Sequence, residues 1–569
     1  MNIPVKHTLL SFVLAFSLFA SSFAQGNSAK APAKNWSQLD KAHDNYYGIS
    51  LEKAYQLVKG KKSKQVIVAV LDNGIDTLHE DLKNILWHNP KEIPGNGVDD
   101  DHNGYVDDIY GWNFIGGKDG RNVEKDSDEG ARTYHRLKAK YGPVVPDPAT
   151  AKTPEEKTEI ELYRKVKAKI EGEQISEVDL FLFKRIYTNM VKSDSILQEA
   201  MGKKIFTGKE ADAYSPTRPD VVKAKTIFVG FLQSNNALSQ TNKEYMEGFK
   251  EYLNGEQNKV DAKTKVPEDY RREIVKDNEF DINDRFYGNN DVMTAAPSHG
   301  THTSGIIAAS RNNGKGMDGI ADNVKIMMVR MLADADEHDK DVALAIRYAV
   351  DNGAQIISMS FGKYFSPQKK WVDEAIQYAE SKEVLLVHAS GNDAKNIDSA
   401  DHYPTPVFEN GRGVANNFID VGASSDEKIP EKYTNIKGDI ASFSNYGKKS
   451  VDVFAPGVGI YSTVPGNDYT SYDGTSMAGP VVAGVAALLL EYYPNLSARQ
   501  LKYVIEKSAV PLREKVKRPG STEEVPLSDL SKTGGVVNAY EAMKLAATIK
   551  GERNNLPVIT PKIIPGKKR

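Results

Sequence analysis

A serine, a histidine and an aspartate stand in sequence contexts that suit acyl transfer. Ser476 lies in the run Gly-Thr-Ser-Met-Ala-Gly-Pro, and the small apolar segment 481–488 follows it. Small neighbours leave room for a substrate carbonyl, and the start of a buried helix favours negative charge that develops nearby. Pro480 suits the first turn of such a helix, where backbone N–H groups lack partners. The pattern predicts a nucleophilic hydroxyl, although Ser-Met-Ala alone is compatible with an ordinary buried helix.

Two upstream segments carry candidate partners for this serine. The β-branched run 66–71 predicts a buried strand that ends at Asp72. His299 and His302 both lie in the run Ser-His-Gly-Thr-His-Thr-Ser-Gly. A serine nucleophile needs a base that takes its proton and a third group that orients the base. A bare His-x-x-His pair is also compatible with a metal site, but no third ligand is evident in the sequence.

These three segments resemble those of the subtilisin-like serine proteases, the subtilases, over residues 61–120 and 285–547. The chain order of acid, histidine and serine is the known order of subtilisin and belongs to the resemblance. The resemblance implies that Ser476 attacks a peptide carbonyl while His299 acts as general base and then as general acid. Asp72 orients the imidazole in this scheme, and His302 has a structural role.

Two further segments fit the same family. Asn392, in Ala-Ser-Gly-Asn, corresponds to the oxyanion donor, which acts with the Ser476 backbone N–H and typically contributes about 3 kcal/mol. Asparagine after glycine is also an ordinary turn residue. The family strand that pairs with the substrate backbone corresponds to Ser360, Phe361 and Gly362. Phe361 and Lys363 depart from the commonest family form, and a plain core strand is the alternative.

Alternating strand and helix patterns surround these residues. Strands are predicted at 66–71, 324–329, 355–360 and 384–387, and helices at 341–352, 371–381 and from 536 onward. This alternation predicts an α/β fold with a parallel central β-sheet and helices on both faces. Sites in such sheets form at the carboxyl ends of strands. Asp72, Ser360 and Asn392 all lie at or just after a predicted strand end.

An acidic loop follows the first strand. Asp99, Asp101 and Asn103 stand at alternate positions, a glycine follows, and Asp107 comes four residues after Asn103. Oxygen ligands with this spacing suit Ca²⁺. The EF-hand loop has glutamate at its twelfth position, where Tyr110 stands here, so the match to that loop is incomplete. The expectation is a structural Ca²⁺ with no cofactor needed for the chemistry, and an acidic turn is the alternative.

Residues 121–284 differ in character from the flanking sequence. Asp72 and His299 are 227 positions apart, farther than is usual in the family. Apolar residues at helical spacing, and the many Lys and Glu residues, predict a charged helical insertion between the catalytic Asp and His. One predicted helix covers 178–191, and another ends near Leu253. This insertion suits a lid, a partner-binding arm or a solvated decoration without a catalytic role.

Composition and the chain ends limit the remaining possibilities. The 569-residue chain has a net charge of −3 and no cysteine, which excludes disulfides and thiolate chemistry and gives no case for nucleic acid. A basic start, the apolar run 9–20 and Ser22-Phe23-Ala24 predict a signal peptide over 1–24. A second apolar run of the roughly 20 residues needed for a membrane span is not found.

The remaining boundaries complete a first interpretation of the chain. Residues 25–60 are predicted as a linker and short pre-segment, too short for the inhibitory prodomain that many subtilases carry, and 551–569 as a disordered tail. Together, these sequence features predict a periplasmic or secreted serine endopeptidase that acts on proteins or peptides. Its oligomeric state is not specified by the sequence. A catalytically weak subtilase-fold protein that binds partners through the insertion is the main alternative, and a metallohydrolase is a third.

Overall fold

The computed structural model describes residues 33–553, apart from 173–175, 236, 296, 412 and 433–435. The predicted signal peptide at 1–24 and all but the first three residues of the predicted tail lie outside the described residues. Within the predicted linker, Trp36 is buried and its Nε1 donates to the Val458 carbonyl at 3.0 Å. This part of the chain is therefore packed against the sheet-containing body.

A seven-stranded parallel sheet lies at the centre of the protein. Its strands are β1 (Val66–Asp72), β2 (Gly111–Asn113), β3 (Val324–Arg330), β4 (Ile356–Met359), β5 (Leu385–Ala389), β6 (Phe418–Ser424) and β7 (Val453–Pro456). Their spatial order is β2-β3-β1-β4-β5-β6-β7. Almost every strand residue is buried, as expected for a parallel sheet whose two faces are both covered. The chain order reverses beside β1, so Asp72 ends a central strand at the point where sites form in such sheets.

Eight α-helices are found in the described residues outside the segment 114–297. They are α1 (Lys41–Asp44), α2 (Leu51–Val58), α10 (Ser298–Ala308), α11 (Asp339–Asp351), α12 (Lys369–Ser381), α13 (Thr475–Tyr492), α14 (Ala498–Lys507) and α15 (Ala539–Ala546). Helices α11 and α12 share a hydrophobic core with alternate residues of β1, such as Ala69 and Leu71. Helices α10 and α13 contact each other and the sheet. The predicted α/β fold with a parallel central sheet is confirmed.

Helix α13 is unusually apolar. Among the described residues, it is the one helix that is long and apolar enough to cross a membrane, and 89% of it is buried inside the protein. Such burial is typical of the central helix of a globular protein. Two hairpins complete the described strands: β8 (Ile460–Val464) with β9 (Asp468–Tyr472), and β10 (Val516–Lys517) with β11 (Glu524–Val525).

The segment between β2 and α10 is helical. Its helices are α3 (Glu129–Tyr141), α4 (Pro154–Gly172), α5 (Glu177–Met201), α6 (Gly208–Ala213), α7 (Pro219–Ser234), α8 (Asn242–Thr264) and α9 (Tyr270–Ile274). Helices α5 and α8 extend about ten residues beyond the predicted ends, because buried side chains such as Leu197 and Ala262 continue their packed faces where the sequence turns polar. That these helices form a functionally separate insertion stays a prediction.

Both ends of this helical segment meet at one histidine. His338, just before α11, has its Nε2 2.8 Å from Asp126 Oδ2 and its Nδ1 2.7 Å from Glu279 Oε1. Burial alone would lower the pKa of His338, but the two carboxylates outweigh it and raise the pKa to about 9. A charged imidazole therefore joins the entry and the exit of the segment.

Candidate active site

The buried end of β1 and the start of α10 place an aspartate against a histidine. Nδ1 of His299, the second residue of α10, lies 2.8 and 2.9 Å from the two carboxylate oxygens of Asp72. This approach requires the glycine that follows His299. A Cβ atom on Gly300 would lie 2.2 Å from the Gly74 carbonyl oxygen and 3.0 Å from Asp72 Cβ. The predicted pair of acid and base is therefore formed.

Asp72 is fully buried and has further hydrogen-bond partners. The Asn73 backbone N–H donates to its Oδ1 at 2.7 Å, and the Thr303 hydroxyl donates to its Oδ2 at 3.3 Å. The Asn73 side chain in turn accepts from the Gly300 backbone N–H at 3.0 Å and ties β1 to α10. Sequence reasoning missed the contacts that Asn73 and Thr303 make here. These bonds fix the carboxylate and so the plane of the imidazole.

The two histidines of this segment have opposite electrostatic settings. Burial lowers the pKa of His299, but the charge and hydrogen bond of Asp72 outweigh it, and the net pKa is raised above its ordinary value. His302 is fully buried, which lowers its pKa to about 3 and keeps it neutral. Its Nε2 donates to the Thr470 carbonyl at 3.2 Å, and its ring centroid lies 4.4 Å from that of Tyr472. His302 therefore has the structural setting expected from the resemblance.

Ser476 is the second residue of α13, next to the end of β4. Its hydroxyl donates to the Ser360 carbonyl at 3.3 Å, and the Ser360 hydroxyl donates to the Ser476 carbonyl at 2.9 Å. Helix α10, which carries His299, packs against helix α13, which carries Ser476. In this structure the serine hydroxyl is bonded to Ser360, and Asp72 is bonded to His299. Hydrogen bonds of catalytic groups often tighten only when a substrate is bound.

Pro480 does not occupy the first turn of the helix, which corrects the sequence prediction. Helix α13 begins at Thr475, so Pro480 is its sixth residue and lies inside the helix. A residue there would normally donate its N–H to the carbonyl four residues earlier, which is that of Ser476. The Ser360 hydroxyl takes the place of this missing donor. The proline thus frees the Ser476 carbonyl to bond with the strand that was predicted to bind substrate.

Asn392 is oriented by the residue before the serine. Its Oδ1 accepts from both the backbone N–H and the hydroxyl of Thr475, each at 2.9 Å. The Thr475 hydroxyl accepts from the Gly391 N–H at 3.1 Å. Since Oδ1 faces Thr475, the Nδ2 group is the one that remains for a ligand, and it lies 3.8 Å from the Cβ position of Gly474. Asn392 is exposed, and sequence reasoning missed the orienting role of Thr475.

The predicted substrate strand lies beside two histidines, the buried His388 and the partly buried His402. The Phe361 carbonyl accepts from His388 Nε2 at 2.8 Å and therefore faces the protein interior. Gly362 is exposed, and a Cβ atom there would lie 2.6 Å from His402 Cε1. Burial, together with the neighbouring His388, lowers the pKa of His402 to about 4. Sequence reasoning found neither histidine, because each is a single residue without a motif.

Three carboxylates converge in the acidic loop. Oxygens of Glu92, Asp99 and Asp101 lie within 4.8 Å of one another. Glu92 was missed by sequence reasoning because it precedes the alternating pattern by seven positions. Burial raises its pKa above the ordinary value, and its two oxygens accept backbone N–H groups from Asp100, Asp101 and Asp107.

The other two residues predicted for this loop face elsewhere. Asp107 Oδ1 accepts from Gly95 N at 2.8 Å, and Oδ2 accepts from Gly97 N at 2.8 Å, so this carboxylate organises the preceding turn. Asn103 donates from Nδ2 to Asp108 Oδ2 at 3.1 Å. The carboxylate group that the structure brings together is therefore Glu92, Asp99 and Asp101, rather than the full predicted set.

Comparison with known proteins places this fold and site in a family. The family model described as "Subtilase family" matches residues 63–538. The chain is 39% identical over 213 residues to the thermophilic serine proteinase of Bacillus sp. (strain AK1), covering 37% of this chain and 47% of that protein. It is 35% identical over 260 residues to thermitase of Thermoactinomyces vulgaris, covering 46% and 79%. This chain belongs to the subtilase family of serine proteases.

Two further matches show how much of the chain is similar to known proteases. The cell wall-associated protease of Bacillus subtilis (strain 168) is 37% identical over 230 residues, covering 40% of this chain and 23% of that protein. Among solved structures, the prenylagaramide maturation protease PagA is 28% identical, with a TM-score of 0.35 over 44% of this chain and 82% of that chain. The chain spans about half or less of the length of the first relatives it matches.

Proposed function

We propose that this chain is an exported serine endopeptidase that hydrolyses peptide bonds through an acyl-enzyme on Ser476. The observation that supports it most is the pair of His299 and fully buried Asp72, next to the helix that carries Ser476. A base with this partner holds a proton well, because its pKa is raised. Family membership supports the same reaction class.

The proposed reaction has two halves. The Ser476 oxygen attacks the substrate carbonyl while His299 takes the hydroxyl proton and Asp72 stabilises the imidazolium. His299 then gives that proton to the leaving amine as the peptide bond breaks. Water, deprotonated by His299, attacks the acyl-enzyme and releases the acid and the free serine. Asn392 Nδ2 and the Ser476 backbone N–H donate to the oxyanion in both halves.

Substrate placement and export are part of the proposal. We propose that the exposed backbone at Gly362, with Ser360 and Phe361, pairs with an extended substrate. The predicted signal peptide supports export to the periplasm or beyond. One relative is a cell wall-associated protease, which agrees with action outside the cytoplasm.

A fluorophosphonate serine probe tests the assembled site. Intact mass and peptide mapping should show one adduct, on Ser476, and none in His299→Ala. Because the neutral imidazole is the base, the labelling rate should rise as the pH increases through the pKa of His299, which Asp72 raises above the ordinary histidine value, and should fall at lower pH. Labelling without this pH dependence, or equal labelling of His299→Ala, would contradict the proposal. No adduct on the folded protein would favour the partner-binding alternative.

We also propose that the acidic loop binds a structural Ca²⁺. The donor set fits, because oxygens of three carboxylates converge within 4.8 Å of one another, and the single charge of Lys91, whose Nζ lies 3.9 Å from Asp101 Oδ2, does not balance them. Glu92, Asp99 and Asp101 would hold the ion. The ion would relieve the repulsion between these carboxylates and stiffen the loop that leads from β1 to β2, without taking part in peptide hydrolysis.

Added Ca²⁺ is expected to raise the melting temperature of the wild-type protein. Binding to the folded state alone contributes about 2.7 kcal/mol at a hundredfold excess over Kd. The shift should be largely lost in Asp101→Asn, which removes one anionic ligand. The exposed Asp212, on α6, offers the matched control Asp212→Asn, which should keep the full shift. Equal shifts in the two variants, measured by calorimetry after chelator treatment, would place the ion elsewhere.

A further inference from the structure

Two walls of the fold flank Ser476. The strand wall comprises residues 360–365, and it is bonded to Ser476 through Ser360. The loop wall comprises Lys432 and the neighbouring Asp473, three positions before the serine. The Lys432 backbone N–H donates to Asp473 Oδ2, and its Nζ lies 5.5 Å from the ring centroid of Tyr472.

The first helix of the helical segment, α3, is attached to the strand wall. Glu129, the first residue of α3, lies 3.3 Å from the buried Nζ of Lys363, which also pairs with Asp339 at 2.9 Å. A Cβ atom on Gly130 would lie 3.2 Å from the Phe365 ring, so α3 packs closely on this wall. Separating a buried charge from its partner costs considerable free energy, so the Glu129–Lys363 contact is a rigid attachment.

A distant loop of the same segment contacts the loop wall. This loop, the tip, comprises residues 237–241 between α7 and α8. Gln240 is only 5% exposed, and its Nε2 donates to the Lys432 carbonyl at 2.7 Å. The segment therefore contacts both the strand that is hydrogen-bonded to Ser476 and the loop that is hydrogen-bonded to Asp473, three positions before it.

The tip is held firmly by its own helices. The Gly208 N–H donates to the Gln240 carbonyl at 3.0 Å, and the Lys209 N–H donates to the Leu238 carbonyl at 2.8 Å. Ala237 is fully buried in the core shared by α5, α6, α7 and α8. The tip therefore moves with the helices behind it, so its release from Lys432 displaces a packed unit rather than a flexible loop.

We infer that residues 129–264 bridge the cleft at Ser476 and restrict the protease to extended, flexible polypeptide chains. The inference rests on the proposed function and specifies its substrate class. The bridge leaves the catalytic base accessible, since the His299 side chain is 35% exposed. A single extended strand needs only the space beside Gly362 between the walls. A folded protein presents a cleavable loop on a broad surface, which meets the bridge unless the tip leaves Lys432.

Gln240 sets the balance between the bridged and open states. Its side-chain donor reaches across to a backbone carbonyl, so it acts on the bridge and not on the reacting atoms. Loss of one such hydrogen bond changes an equilibrium by about fivefold. Removing it should therefore admit folded substrates without altering the turnover of short peptides.

The test compares kcat/KM for three substrates: a short fluorogenic peptide, a reduced and carboxymethylated protein, and the same protein in its folded, disulfide-bonded form. The wild type should cleave the first two and largely spare the third. Gln240→Ala should raise kcat/KM for the folded protein about fivefold, with peptide hydrolysis unchanged. Gln198→Ala is the matched control, because Gln198 donates to Asp194 at 2.7 Å within the helical segment. It should change neither value.

A second variant covers the case in which Gln240→Ala does not fold. Gln240→Glu keeps the shape of the side chain and replaces the donor with an acceptor, so it should open the bridge to a similar extent. Equal kcat/KM for folded and unfolded protein in the wild type would overturn the inference, as would an unchanged ratio in both Gln240 variants. If no variant cleaves the peptide and the serine probe does not react, the proposed function itself fails.

Because the sequence contains no cysteine, two introduced cysteines can be cross-linked selectively to hold the bridge closed. Gln240→Cys with Lys432→Cys, joined by a short thiol-cleavable cross-linker, should lose residual cleavage of the folded protein but still cleave the peptide. Each activity is compared with that of the same variant before cross-linking, and a reductant should restore it. Loss of peptide cleavage on cross-linking would show that the closed bridge blocks the site altogether and would overturn selection by substrate shape.

Discussion

Replacing Ser476 with alanine is expected to lower kcat for peptide hydrolysis by about 10⁶-fold. That is the loss found in subtilisin, a member of the same family, when its serine is removed. The hydroxyl supplies the atom that bonds to the substrate, and no neighbouring group can replace it in an acyl-enzyme. The fold should persist, because alanine is favourable in a helix. The Ser360 hydroxyl donates to the backbone carbonyl of residue 476, and alanine keeps that carbonyl.

The measurement is a long incubation with a fluorogenic peptide, together with a thermal melt. Ser381→Ala is the matched control, since the Ser381 hydroxyl donates to its own helix at Tyr378, away from the site. It should retain wild-type turnover. Hydrolysis by Ser476→Ala at more than about a thousandth of the wild-type rate would mean that another nucleophile acts, provided that the melting temperature is retained.

Asn392→Asp is expected to lower kcat by at least 10²–10³-fold, about the loss found for the oxyanion asparagine of subtilisin. The change is nearly isosteric and keeps the oxygen that accepts from the Thr475 N–H and hydroxyl. It removes the Nδ2–H donor and adds a negative charge where the oxyanion forms. Since the oxyanion exists only in the transition state, KM should change much less than kcat.

Thr475→Val separates this effect from the positioning of Asn392. Valine has the shape of threonine but lacks the hydroxyl that donates to Asn392 and accepts from Gly391. The backbone bond from residue 475 to Asn392 Oδ1 remains, so the expected loss in kcat is much smaller than that of Asn392→Asp. A larger loss in Thr475→Val, or a change in Asn392→Asp confined to KM, would argue against an oxyanion role for Asn392.

Sequence patterns predicted the parts of this protein that depend on local order. The β-branched run at 66–71 is a central strand because a parallel sheet buries both of its faces. The strands at 324–329 and 384–387 follow from the same apolar patterns. Asp72 and His299 could be paired in advance only because their segments resemble a known family.

Residues that act through tertiary contacts could not be predicted in this way. Thr303 lies in the histidine segment, but its hydroxyl bond to Asp72, 231 positions earlier, is a tertiary contact that the sequence does not specify. Glu92 lies outside any motif, and its partners are backbone N–H groups of a loop turn. Pro480 was placed one turn too early, since a proline inside a helix is unfavourable unless another donor serves the freed carbonyl. Gln240 lies in a short polar loop that contacts Lys432, 192 positions later.

The meeting of both segment ends at His338 has a consequence for the length of chain that this fold can accept between them. Asp126 and Glu279 are held on one imidazole, so the chain leaves the catalytic body and returns to it at nearly the same place. The length of the chain between Asp126 and Glu279 therefore does not affect the positions of Asp72 and His299. Closing a longer loop also costs little extra entropy. The segment can therefore be shortened or lengthened between these two carboxylates without displacing the Asp72–His299 pair.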